Sequence, residues 1–215
     1  MTSRRNFLLG AATLPFISLP FISPAARAAT PGKEYTVLQP ALTTLDPKRV
    51  EVAEFFWYGC PHCFTLEPDL TAWVKTMPKG TYFRRIPAVL NPNWAPLARA
   101  YYAAEGLGLT DKLHYDIFNA IHLSGQNLNN RETLLSFVEK LGVNRKQFAQ
   151  KLDSAEVSAH VDNAKRLTSA AQLSGVPALV VDGKYQTSVT QTGGHDKLFV
   201  TLNELIALAQ SNKKR

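Results

Sequence analysis

The stretch from Val50 to Cys63 limits the possible folds more than any other part of the chain. Val50 to Tyr58 reads VEVAEFFWY, dense in β-branched and aromatic residues, and predicts a buried strand. Gly59 breaks it. Cys60-Pro61-His62-Cys63 then opens a helix expected to run to about Thr76, where Met77-Pro78-Lys79-Gly80 stops it. Proline suits a first helical turn because its missing N–H would have no partner there. The two cysteines therefore fall at a strand-to-helix junction.

These are the only 2 cysteines in the 215 residues, so a framework of several bridges is excluded. A bridge closing so short a loop would constrain the unfolded chain little, which argues against a purely structural role. Cys60 falls at the helix N-terminus, where unpaired N–H groups and the helix dipole favour negative charge. A protonated His62 adds a second positive source. Both lower the thiol pKa, and the thiolate is the reactive species. A stabilised thiolate stabilises the reduced pair, so the disulfide form tends to pass its oxidation on. The Pro61-His62 dipeptide points to the oxidising end. The rival reading of Cys-x-x-Cys is half a zinc site, but a structural zinc needs four ligands. No second cysteine pair exists, and His114, His122, His160 and His195 lack the spacing that would complete one. No metal is expected.

Elsewhere the pattern alternates. Tyr35 to Leu38 reads as a short strand, and Thr81 to Val89 as another, with Pro87 marking an edge or an end. Residues 95–173 are Ala- and Leu-rich with helical spacing: Leu97, Tyr101 and Ala104; Leu113, Ile117 and Ile121; Leu134, Phe137, Val138 and Leu141. Ser154 to Leu173 predicts a long helix. Ala178 to Val181 returns to strand, Asp182-Gly183 predicts a hairpin turn, and Lys184-Tyr185-Gln186 follows. The chain ends in a helix, His195 to Gln210, with Leu198, Leu202, Leu205 and Leu208 along one side. The order β, β, α, β, helical block, β, β, α predicts an α/β thioredoxin fold with an inserted helical domain. Its expected parts are 29–94, the inserted helical domain 95–173, and 174–215, with 29–34 as a disordered start.

Residues 1–28 have the order of an export signal: Ser3-Arg4-Arg5 with Phe7-Leu8, an apolar stretch to Ile22, and Ala26-Arg27-Ala28 as a small-x-small cleavage pattern. The arginines resemble a twin-arginine signal, an address and not an anchor. Pro15, Pro20 and Pro24 argue against a membrane helix, which needs about 20 predominantly apolar residues. The expected location is the periplasm, where a dithiol can be kept oxidised. The net charge of +7 owes three of its positive charges to Arg4, Arg5 and Arg27, and no run of five Lys/Arg occurs. No nucleic-acid partner is expected.

Together, Glu54-Phe55-Phe56 before Cys60-Pro61-His62-Cys63, and Gly175-Val176-Pro177-Ala178 before Val181-Asp182-Gly183-Lys184-Tyr185-Gln186, resemble the DsbA family from about Tyr35 to Ala209. The resemblance implies a thiol:disulfide oxidoreductase that donates its Cys60–Cys63 disulfide to reduced exported proteins. It implies Cys60 as the exposed nucleophile, Cys63 as its buried partner, Pro177 as a cis-proline beside the site, and Glu54 as a buried acid serving Cys63. With Pro177 cis, Val176 would offer its backbone to an extended substrate. Arg84 or Arg85 could pair with Glu54; alternation does not choose between them. Trp57 and Tyr58 could line a substrate surface or belong to the core. A membrane quinone-linked oxidoreductase (DsbB-like) is the implied recycling partner. No cofactor is expected, because the disulfide carries the electrons, and the mature protein is expected to be monomeric. Two alternatives are a reductase or isomerase of the same fold, and a non-catalytic peptide-binding module.

Overall fold

The computed structural model describes residues 29–214. The expected export signal, 1–28, lies outside them. Among the described residues no helix is long and apolar enough to cross a membrane.

The chain builds one mixed sheet of five strands, in the order β1-β5-β4-β2-β3. These are β1 (Thr36–Val37), β2 (Val50–Phe56), β3 (Thr81–Pro87), β4 (Ala178–Val181) and β5 (Tyr185–Thr187). All seven residues of β2 are buried, Glu51 and Glu54 included, as in a strand covered on both faces. It pairs in parallel with β3 and antiparallel with β4. Pro87 closes β3 on the sheet edge, where a missing N–H costs least. Asp182 and Gly183 both take positive φ, 53° and 66°, and turn β4 into β5.

Helices cover both faces. The helix α1 (Pro61–Val74) packs with the last helix on the face of β2 that carries Val50 and Val52. Between β3 and β4 lie five helices: α2 (Ala95–Gly106), α3 (Thr110–His122), α4 (Arg131–Lys140), α5 (Arg145–Leu152) and α6 (Ala155–Ala170). Asn130, Asn144 and Ser154 cap the last three, each side chain accepting from backbone N–H groups of the first turn. Their apolar sides form a second core with Ala53, Phe55 and Val180. A short α7 (Val189–Thr192) leads to α8 (His195–Lys213). The arrangement is a thioredoxin-type sheet with a helical insertion.

Two expectations need correction. Residues 29–34 are not a loose start. The Ala29 N–H donates to Glu204 Oε2 at 2.6 Å, and the Thr187 hydroxyl donates to the Glu34 carbonyl at 2.7 Å. Leu208 is exposed, and Ile206 and Ala209 are buried in its place. Three full turns of α8 bring Ala209, and not Leu208, back above Leu198.

Candidate active site

The parallel pairing of β2 with β3 and the start of α1 bring the site together. Cys60 is the N-cap of α1, with extended backbone, and Pro61 takes the first helical position. The Cys60 N–H donates to the Trp57 carbonyl at 2.9 Å, fixing the turn through Gly59. A side chain at Gly59 would run into the Trp57 ring. Both cysteines are free thiols. Cys60 keeps 8% of its surface and Cys63 none, so Cys60 is less open than the word exposed implies. The loop before β4 covers it: the Cys60 thiol donates to the Val176 carbonyl at 3.4 Å. The Val176–Pro177 peptide is cis. His62 is exposed beside this loop.

The two thiols have opposite acidities. Cys60 is lowered from 9.0 to about 6, first by a hydrogen bond from the Cys63 thiol. Burial opposes the shift, while the N–H groups of Cys63 and His62 at the helix N-terminus and the His62 charge support it. His62 thus ranks last among these causes. Cys63 is pushed far above its ordinary value, chiefly by burial and then by the adjoining Cys60 sulfur.

Beneath the pair, Glu54 is almost fully buried. The register sets Glu54 opposite Arg85 and Ala53 opposite Arg84. Arg85 Nε lies 3.3 Å from Glu54 Oε2, whereas Arg84 turns to Glu51 at 3.5 Å. The choice left open by alternation therefore falls to Arg85. Arg85 is already engaged by Glu67 of α1 at 2.5 Å. Burial accordingly dominates at Glu54 and raises it to about 8, against the pull of Arg85.

The aromatic residues before the cysteines divide. Tyr58 is 1% exposed and packs among Phe56, His114 and Phe118, so it belongs to the core and lines no substrate surface. Trp57 is half-buried and stacks on Trp94, with centroids 4.4 Å apart and planes 3° from parallel. Val176, Pro177 and His62 line a cavity of about 760 Å³, together with Gln39, Thr65 and Gln186.

The sequence reading missed Glu67 and His114. Glu67 falls on the same helical stripe as Cys63, Leu66, Leu70 and Trp73, all buried. A carboxylate on an apolar stripe was the available signal. Among the described residues, no group of three or more His, Cys, Asp or Glu side chains is placed to hold a metal ion.

Residues 78–205 match the family described as DSBA-like thioredoxin domain, a span that begins after the cysteine pair. Relatives extend the likeness across it. The chain is 34% identical over 212 residues to thiol:disulfide interchange protein DsbA of Azotobacter vinelandii, covering 96% of this chain and 99% of that one. It is 32% identical to the DsbA of Pseudomonas syringae pv. tomato, covering 94% of each. The crystal structure of Pseudomonas aeruginosa DsbA superposes with a TM-score of 0.84 at 32% identity, over 87% of this chain and 97% of that one. The oxidoreductase NmDsbA1 of Neisseria meningitidis gives 0.78 at 28%, over 86% and 96%.

Proposed function

The chain belongs to the DsbA family of thiol:disulfide oxidoreductases, and from that premise we propose how its residues share the work of disulfide exchange. A substrate thiolate attacks the Cys60 sulfur of the Cys60–Cys63 disulfide. The Cys63 sulfur leaves with the bonding pair and takes a proton from Glu54. The substrate's second thiolate attacks its own sulfur in the mixed disulfide, and Cys60 departs as a thiolate. The substrate gains one disulfide and the pair ends reduced.

The observation that carries this reading is Cys60 seated as the N-cap of α1, where the Cys63 thiol and the N–H groups of Cys63 and His62 favour its thiolate. A good leaving thiolate at Cys60 and a thiol at Cys63 favour the last step and oppose its reversal. Pro61 sets the helix start, and His62 adds positive charge at the mouth. The Val176 carbonyl beside Cys60 suits main-chain pairing with an extended substrate, in the cavity bordered by Pro177. Trp57, half-buried and stacked on Trp94, is not among the residues lining that cavity.

The substrates in this reading are reduced exported proteins met in the periplasm, which the signal-like pattern of residues 1–28 supports. Reoxidation falls to a membrane quinone-linked oxidoreductase of the DsbB kind, a role drawn from family membership. No further cofactor is needed, and the protein works as a monomer.

A redox titration of the pair in glutathione buffers tests the direction of exchange. The expected potential is more oxidising than the glutathione pool. A value at the thioredoxin end would make the protein a reductase and contradict the donor role. Cys60→Ala should abolish oxidation of a dithiol peptide; a wild-type protein that binds the peptide without oxidising it, and a variant that binds it equally, would favour a non-catalytic binding module.

A further inference from the structure

Behind the cysteines a line of buried polar groups crosses from β2 to α3. Glu54 Oε2 lies 3.3 Å from Arg85 Nε, and Arg85 Nη2 pairs with Glu67 Oε1. The same Glu67 oxygen accepts from the Thr71 hydroxyl at 2.7 Å, and its other oxygen faces His114 Nε2 at 3.3 Å. His114 Nδ1 lies 2.8 Å from the Tyr58 hydroxyl. When Tyr58 donates to Nδ1, the neutral ring carries its proton on Nε2, aimed at Glu67.

One guanidinium thus faces two carboxyl groups. Both cannot ionise beside a single cation without leaving a buried charge unpaired. The surroundings decide which keeps the proton. Glu67 has Arg85, Thr71 and His114, and with them borders a cavity of about 390 Å³. Glu54 is not among the residues bordering it, and neither of its oxygens has a hydrogen-bond partner; Glu67 Oε1 accepts two hydrogen bonds, while its Oε2 and His114 Nε2 have only each other, as a 3.3 Å contact.

We propose that His114 is a positioning residue for the exchange reaction: its Nε2–H holds Glu67 as the ionised partner of Arg85, and Glu54 is thereby left with the proton that Cys63 takes. The inference rests on Glu54 serving as proton donor, as above. When the Cys60–Cys63 bond opens, Cys63 leaves with the electron pair, the Glu54 O–H proton moves to it, and the Glu54 carboxylate remains beside Arg85. Without His114 the shared proton settles on Glu67 instead, and Cys63 loses its source.

The acidities agree. Burial raises Glu67, but the His114 N–H contact, Arg85 and Thr71 outweigh it and leave it lowered. His114 is itself lowered by burial, with Glu67 opposing, and so stays neutral near pH 7. The titratable and charged groups facing it are Tyr58 from the loop after β2, Glu67 from α1, Arg85 from β3 and Tyr101 from α2.

The test is a carboxyl titration of Glu54 by infrared difference or ¹³C NMR on the full mature chain, assigned with Glu54→Gln. His114→Phe keeps the ring and removes the donor. The Glu54 midpoint should fall by about two pH units. Single-turnover reduction of the pair by a dithiol peptide should slow about tenfold at pH 7, a deficit that closes at lower pH. His114→Gln, which retains an N–H, should restore most of both. Glu67→Gln should lower the Glu54 midpoint as well. An unchanged midpoint in a folded His114→Phe, or a His114→Gln that behaves like His114→Phe, overturns the proposal. Should His114→Phe fail to fold, an unchanged midpoint in Glu67→Gln overturns it alone. Wild-type oxidation of the same peptide is followed in parallel. Its absence would sink the donor function, while the Glu54 titration still reads the network.

Discussion

The Cys60 sulfur and the Val176 carbonyl oxygen lie 3.4 Å apart although 116 positions separate them in the chain. The antiparallel pairing of β2 with β4, which sets Phe55 opposite Ala178, makes that meeting possible. The site is therefore a product of sheet register. Its two halves flank the helical insertion, and His114 of that insertion reaches Glu67 on α1 behind the cysteines.

Glu54 links this site to stability. Its carboxyl is raised from 4.5 to about 8, with burial the chief cause. A group raised on folding contributes fully below its unfolded value, and that contribution is lost as pH rises through the folded value. Glu54 by itself should lower wild-type stability between pH 4.5 and 8, opposed above pH 6 by Cys60 in the reduced protein. Glu54→Gln should remove the slope and exceed wild type at pH 8 by roughly 2–4 kcal/mol, while slowing exchange. Urea unfolding at pH 5 and pH 8 checks this. Parallel slopes in the two proteins would contradict it.

Trp57 and Trp94 tie the loop before Cys60 to the helical insertion. Their stacked rings are worth about 0.5–1.5 kcal/mol beyond buried area. Trp94→Ala should cost roughly 2–3 kcal/mol in all and abolish the indole exciton couplet in far-ultraviolet circular dichroism. A couplet that survives would mean the rings do not stack in solution.

Gly183 and Gly175 should respond oppositely to alanine. At Gly183 φ is 66°, and an added Cβ would strike the Leu42 carbonyl oxygen, whose own N–H donates to Gly183. Gly183→Ala should cost about 1–3 kcal/mol. At Gly175 nothing stands within 4 Å, and Gly175→Ala should stay within about 0.5 kcal/mol of wild type. Thermal melts of both variants check the contrast.

Much of the fold was legible because local signals were strong. The β-branched and aromatic residues of β2, the Cys60-Pro61 helix start and the Asp182-Gly183 turn each specify their own geometry. What stayed hidden depends on contacts between distant elements. The partner of Glu54 required the β2–β3 register, which alternation does not supply. Glu67 looked like any helical carboxylate until α3 brought His114 over it. Tyr58 reads equally as core or surface, and Phe118 of the insertion decides for core. Even the acidity of Cys60 was credited to the helix N-terminus and then to His62, whereas the Cys63 thiol contributes first.

The most direct test is the pH titration of Cys60 thiolate absorbance in the reduced protein. A midpoint of about 6 is expected, with Cys63 remaining a thiol throughout. Because folding lowers Cys60 from 9.0, the reduced protein should gain stability as pH rises above 6 and lose that gain as pH falls through it. A midpoint near 9.0, the value of an unperturbed thiol, would mean that the start of α1 does not hold the sulfur as an anion and that the pair has no built-in drive to give up its disulfide.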